Sequence, residues 1–85
     1  MGEEKEIGKI THYFAKISVA VMVLSAPLKV GDIIHIKGAT TDIIQGVDSM
    51  QIDRKPVQEA DAGESIGMKV KDIVHEHDKV FLAEE

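Results

Sequence analysis

Two glycine-containing turns, each followed by an apolar run of strand length, restrict the folds open to this chain more than any other feature. One turn precedes the apolar segment 33–37, and the other precedes the segment 66–70. Glycine tolerates the positive φ of tight turns, so such positions mark chain reversals just before a strand. The pattern predicts short strands joined by turns. The glycines to which we assign a structural turn role are Gly31, Gly38, Gly63 and Gly67.

Length and composition indicate one small folded domain. A chain of 85 residues with 44% hydrophobic and 29% charged residues has enough apolar side chains for one modest core. We expect a single domain over residues 1–85, with solvated tails at 1–5 and 83–85. The absence of cysteine excludes a disulfide framework, a thiolate metal site and a cysteine nucleophile.

The segment 17–24 is apolar except for Ser18. Its β-branched side chains alternate along a strand, and we place them in the core: Ile17, Val19, Val21 and Val23. Met22 and Leu24 then fall on the opposite face. That face ends in apolar rather than charged residues, so its far end is either covered by another segment or exposed as an apolar patch. In the second case we predict that Met22 and Leu24 form a partner contact.

The remaining apolar runs complete a set of short strands. We predict strands at 7–14 and 33–37, a long strand over 43–52 with a bulge near Gly46, and a strand at 66–70. A closing hairpin is expected to end at 80–82. No segment has a sustained helical period. The sequence therefore predicts an all-β fold, a small closed Greek-key barrel of six to seven strands.

Five short segments carry resemblances to known families. The chain resembles the β-barrel domain that follows the GTPase domain of elongation factor Tu at segments 28–32, 47–51 and 59–67. It is also similar to the small C-terminal barrel of collagenase-like peptidases, which the segments 8–14 and 38–42 match better. Both resemblances imply a barrel that binds or scaffolds and that is not itself an enzyme.

The elongation-factor resemblance has limits that the residues show. No glycine-rich phosphate loop occurs, so GTP binding by that route is excluded. In the elongation factors the barrel helps to bind the aminoacyl end of transfer RNA through a Glu, a His and an Asn. The corresponding positions here are Gln51, Asp53 and Ser65, so we do not expect aminoacyl recognition.

Four histidines are candidates for chemistry. On a strand, His75 and His77 would project to one side as metal ligands, whereas in a hairpin turn they would simply be polar turn residues. The related domains favour glycine where His77 stands, which implies a positive φ there. His12 and His35 lie within predicted strands. Each is either a general-base candidate or a histidine at the rim that makes one hydrogen bond. No serine lies in a nucleophile-elbow context.

Charge gives a further indication of partners. The net charge of −5 disfavours nucleic acid unless basic residues gather on one face. Lys69 and Lys71 alternate onto one face of a strand, where they could contact RNA or an acidic protein or simply be solvated.

The leading hypothesis from the sequence is a non-catalytic binding module of the translation-factor type, located in the cytoplasm. It would be associated with translation or RNA machinery through a protein or ribonucleoprotein partner. The first alternative is a separately encoded accessory barrel of a collagenase-like peptidase, and the second is a small metal-binding protein. We also predict that the apolar face with Met22 and Leu24 forms either the partner contact or a homodimer. No cofactor and no membrane segment are expected.

Overall fold

The computed structural model describes residues 5–83, and this part of the chain is all-β with no helix. In chain order the strands are β1 Lys5–Phe14, β2 Val19–Leu24, β3 Leu28–Lys29, β4 Ile33–Lys37, β5 Asp42–Gly46, β6 Met50–Ile52, β7 Lys55–Val57, β8 Glu59–Ala60, β9 Ser65–Lys69 and β10 Lys79–Leu82. Because residues 5–83 contain no helix, none of them forms a helix that could span a membrane.

Eight of these strands form one antiparallel sheet in the order β5-β4-β10-β1-β2-β9-β6-β7, and β3 pairs with β8 as a separate ribbon. The large sheet curls into a half-barrel. Within residues 5–83, no ladder joins the two outer strands β5 and β7. The predicted closed barrel of six to seven strands is therefore corrected to an open, curled sheet of eight. Pro56 in β7 has no N–H to donate, which suits an edge strand.

The segment predicted as one long strand over 43–52 is divided between two parts of the sheet. β5 pairs with β4, whereas β6 pairs with β7 and β9. Between them, Val47 is buried and bonded at both backbone groups to the turn around Gly31: its N–H donates to the Asp32 carbonyl at 2.8 Å, and its carbonyl accepts from the Gly31 N–H at 2.9 Å. The chain thus crosses from one edge of the sheet to the other at this point.

The two faces of β2 are the reverse of the prediction. Met22 and Leu24 are 0% and 1% exposed, whereas Ile17 and Val23 are 59% and 40% exposed. The prediction that Met22 and Leu24 form an exposed partner face is therefore wrong. In register Met22 lies opposite Ile66 of β9, which is also buried, so this face of β2 packs in the core.

The turn glycines divide into three kinds. Gly31 and Gly63 have φ of 102° and 91°, which confirms their turn role. Gly38 directly follows β4, where a Cβ atom would clash with the Asp78 carboxylate. Gly67 lies in the middle of β9, so the prediction that it forms a turn is wrong.

A two-residue hairpin joins β6 and β7. Asp53 and Arg54 have φ of 52° and 66° between the paired residues Ile52 and Lys55. Two consecutive positive φ values are the geometry of a tight hairpin turn whose twist matches that of the strands.

Most of the two predicted tails lies outside the described residues. Of the described tail residues, Lys5 begins β1 opposite Leu82, and the N–H of Ala83 donates to the Ile33 carbonyl at 2.9 Å.

Candidate functional site

The reversal of β2 leaves an apolar surface on the outside of the sheet. Its most exposed members are Ile17, Phe14 and Val23, and the side chains of Val19 and Val21 lie half-buried between them. We call these five residues the outer patch. Contiguous exposed apolar side chains of this kind mark interaction surfaces more often than isolated ones do.

The pairing of β2 with its neighbours positions the outer patch. Val19 lies opposite Phe14 of β1, and Val21 lies opposite Gly67 of β9. Gly67 has no side chain, so the surface is depressed between β2 and β6. On β6, Gln51 is the residue paired with Gly67.

The depression is a groove of about 660 Å³. Phe14 and Ile17 form one wall, and the tight turn at Asp53 and Arg54 forms the other. Val19, Val21 and Gly67 lie along its floor. The volume is within the range of roughly 300–1,000 Å³ that is usual for ligand sites. We refer to this feature as the groove.

Polar residues line the rim of the groove. The structure brings Gln51, Asp53 and Ser65 together there, although they come from β6, the hairpin turn and β9. These are the positions that the elongation-factor resemblance would place in an aminoacyl pocket. Sequence reasoning located these three residues but missed the apolar floor, because it placed the β-branched side chains of β2 in the core.

The basic residues Lys69 and Lys71 line a second depression, of about 470 Å³, between β9 and the edge strand β5. Lys69 also lines a smaller depression that shares Ile17 and Val19 with the groove. Both lysines are exposed. The predicted contact of these lysines with a partner stays a prediction, and the structure adds that Lys69 lines a depression next to the groove.

His75 lies in the loop after β9, in a cluster with Thr41 and Asp78. The hydroxyl of Thr41 shares a hydrogen bond of 3.0 Å with Nδ1 of His75, and the His75 backbone N–H donates to the Asp78 carboxylate at 2.8 Å. The carboxylate also lies 3.9 Å from the same Nδ1. A catalytic triad uses the two ring nitrogens for different partners. Here both contacts meet one nitrogen, and Thr41 and Asp78 are buried. The cluster therefore serves to fix the loop.

The other three histidines have different surroundings. His77 has φ of 75°, which confirms the predicted positive φ. His35 is buried and bonded to the Asp42 carboxylate of the neighbouring strand. The ring of His12 packs on Phe14 with centroids 4.4 Å apart and lies 3.5 Å from the Glu76 carboxylate.

A metal site needs at least three convergent ligands. Within the part of the chain that the structure describes, no three His, Cys, Asp or Glu side chains are grouped in that way. His75 and His77, the candidates from the sequence, come without a third ligand among these residues.

No protein-family model matches the chain. Among curated proteins it is similar to an uncharacterised protease of Methanocaldococcus jannaschii, with 43% identity over 81 residues that cover 94% of this chain and 20% of that protein. It is also similar to a collagenase of Porphyromonas gingivalis, with 36% identity over 77 residues that cover 88% of this chain and 21% of that protein. The chain thus spans about one fifth of the length of these relatives.

Two solved structures share the fold. Both are of the C-terminal domain of a protein of Geobacillus thermoleovorans assigned to the U32 peptidases. One superposes with a TM-score of 0.87 and covers 95% of this chain and 93% of that domain, at 14% identity. The other has a TM-score of 0.86 and covers 89% and 96%.

These comparisons correct the functional hypothesis drawn from the sequence. The similar proteins are proteases, and the similar structures are peptidase C-terminal domains, whereas the elongation-factor relationship is not shown. The leading hypothesis, a translation-factor-type module, is therefore wrong. Its first alternative, an accessory barrel of a collagenase-like peptidase, is the one that the comparisons favour.

Proposed function

We propose that this chain is a non-catalytic accessory domain of a collagenase-like, U32-type peptidase. The observation that carries the proposal is the 43% identity to an archaeal protease, which runs along 94% of this chain but only 20% of that protein. A match of this shape is what a domain shared with a larger enzyme produces. The whole enzyme's chemistry then resides in its other four fifths.

The described residues support an accessory role rather than a catalytic one. Nucleophilic catalysis needs an accessible hydroxyl or thiol beside a base. The chain has no cysteine, and the hydroxyl that contacts an imidazole, that of Thr41, is buried. The groove is lined by apolar and short polar side chains and has no histidine among its lining residues. This composition suits binding rather than bond cleavage.

The first test asks whether the domain lacks peptidase activity of its own. The full chain is incubated with fluorescein-labelled casein and with gelatin, and fragment release is followed over a day. We expect no release above the buffer blank. Cleavage that copurifies with the chain and disappears in the Thr41→Val or His75→Ala variant would contradict the non-catalytic role.

The second test asks whether the domain docks on a peptidase body. The Methanocaldococcus jannaschii relative is prepared without the segment that matches this chain, and the two are mixed and examined by analytical ultracentrifugation. We expect a one-to-one complex. Two species that sediment independently at high micromolar concentration would count against the accessory role.

A further inference from the structure

We propose that the groove binds an extended peptide segment that carries apolar side chains next to a carboxylate. The inference rests on the proposed function in one respect, since it takes the peptide to be part of a peptidase substrate. The binding itself depends only on the residues of the groove, so it is tested separately from the accessory role.

The floor of the groove is open because residue 67 is glycine, and the fold does not require glycine there. Gly67 lies outside the positive-φ positions, and a Cβ atom at this position would meet only Val19 Cγ1, at an ordinary 3.5 Å. Glycine within a strand weakens it and often marks a place where a ligand or another backbone approaches closely. Here the missing side chain exposes the backbone of β9 between Val21 and Gln51.

The walls and floor of the groove suit apolar side chains. Ile17 and Phe14 are well exposed along one wall, and Val19 and Val21 continue the apolar surface across the floor. The three strands beneath, β2, β9 and β6, are already paired with one another, so a ligand lies across the sheet face rather than adding to its edge. An extended peptide offers alternate side chains to such a surface.

Basic side chains near the groove favour a carboxylate in the peptide ligand. Arg54 lines the groove beside Asp53, and Lys69 lines a smaller adjoining depression that shares Ile17 and Val19 with the groove. These two basic residues lie here although the whole chain carries a net charge of −5. Within residues 5–83, neither Arg54 nor Lys69 has an ion-pair partner. A peptide carboxylate would complement this locally positive rim.

Two other occupants fit the groove less well. Single-stranded RNA binds through stacking on several aromatic rings together with a basic channel. Among the residues that line the groove, one is aromatic, Phe14, one is basic, Arg54, and one is acidic, Asp53. A second copy of the chain would place one concave surface against another, since a twofold interface uses the same patch on both subunits.

The experiment titrates the ¹⁵N-labelled full chain with the peptide Ac-Leu-Glu-Leu-Gly-Leu-Glu-NH₂ and follows backbone amide shifts. We expect shifts confined to the groove and a dissociation constant in the micromolar to millimolar range. The same peptide with lysine in place of glutamate should bind about fivefold more weakly, as expected for the loss of exposed ion pairs. Arg54→Glu should weaken binding of the glutamate peptide by a similar factor.

Two variants separate binding from folding. Ile17→Asp should weaken binding about tenfold because it removes buried apolar area from the complex. Its matched control is Ile73→Asp, since Ile73 is 60% exposed against 59% for Ile17 and lies in a different loop. Gly67→Val should fill the floor and abolish binding, while the midpoint of urea unfolding stays the same or rises, because valine favours strands.

Several results would overturn the proposal. These are the absence of shifts at millimolar peptide, equal binding of the lysine peptide, and unchanged binding by the Ile17→Asp or Gly67→Val variant. Groove shifts that appear on raising the protein concentration alone would assign the groove to a second copy. Tighter binding of oligouridine at the same residues would assign it to RNA. If the peptide does not bind but the chain forms a complex with the peptidase body, the peptide-binding proposal is refuted and the accessory role is still supported.

Discussion

The side chain of Gln45 accepts a hydrogen bond of 3.0 Å from the backbone N–H of Lys71, across the gap between the edge strand β5 and the end of β9. The same amide group donates to the Lys69 carbonyl at 3.0 Å. β5 and β9 are not neighbours in the sheet. One side chain therefore joins two strands that no ladder pairs.

Replacing Gln45 tests this bridge. Each exposed hydrogen bond contributes on the order of 0.5–1.5 kcal/mol, so Gln45→Ala should lower the free energy of unfolding by about 1–2 kcal/mol. The measurement is urea denaturation followed by circular dichroism. Gln58→Ala serves as the control because the same side chain is exposed at that position, and it should change stability by less than about 0.5 kcal/mol. Equal losses in the two variants would show that the bridge contributes nothing.

The reversed faces of β2 predict opposite effects for adjacent residues. Met22→Ala should cost about 2–5 kcal/mol because Met22 is fully buried in the core. Val23→Ala should cost less than about 1 kcal/mol because much of that side chain is in solvent. Urea midpoints of the two variants decide between the faces. A larger loss of stability for Val23→Ala than for Met22→Ala would support the prediction from the sequence that the β-branched side chains face the core.

Gly38 is required for space rather than for its backbone angle. A methyl group at this position would clash with the Asp78 carboxylate, which accepts a hydrogen bond from His75 in the loop before β10. Gly38→Ala should therefore cost about 1–3 kcal/mol, as overpacked sites do. Gly46→Ala is the matched control, since a Cβ atom there meets only Ile33 Cδ1, at 3.6 Å. Thermal unfolding in which Gly38→Ala is as stable as Gly46→Ala would refute the role of the Asp78 contact.

The positive φ of His77 predicts how substitutions at this position change stability, whatever the role of the imidazole. His77 has φ of 75°, and its N–H donates to the Ile10 carbonyl at 2.8 Å. A β-branched residue is a genuine outlier in this region, so His77→Val should lower stability by about 1–2 kcal/mol, whereas His77→Gly should be at least as stable as the parent. Calorimetry of the three proteins checks the order. A glycine variant less stable than the valine variant would contradict it.

Sequence patterns located the elements whose signals are local. The bounds of β4 follow from an apolar run between Gly31 and Gly38, and the positive φ of His77 follows from the family resemblance. The faces of β2 could not be assigned because both are apolar, so only packing against β9 distinguishes them. The hairpin at Asp53 and Arg54 lacks the usual Asn-Gly signal.

The groove could not be predicted from the sequence, because it also depends on how the strands pair. Its floor depends on the outward face of β2, and its shape depends on Gly67 lying within a strand beside Val21. Both are properties of strand pairing across the sheet. From the sequence we assign Gly67 a turn role within the predicted strand 66–70, because a glycine beside apolar residues is ambiguous between a turn and a close approach.

The most direct test of the accessory role is a replacement in the Methanocaldococcus jannaschii relative. The segment that matches this chain is either deleted or exchanged for residues 5–83, and cleavage of labelled casein and gelatin is measured beside the unaltered protease. We expect the deletion to lose most of the activity and the exchange to restore a rate close to that of the unaltered protein. A deletion as active as the parent, or a correctly folded exchange as inactive as the deletion, would contradict the accessory role.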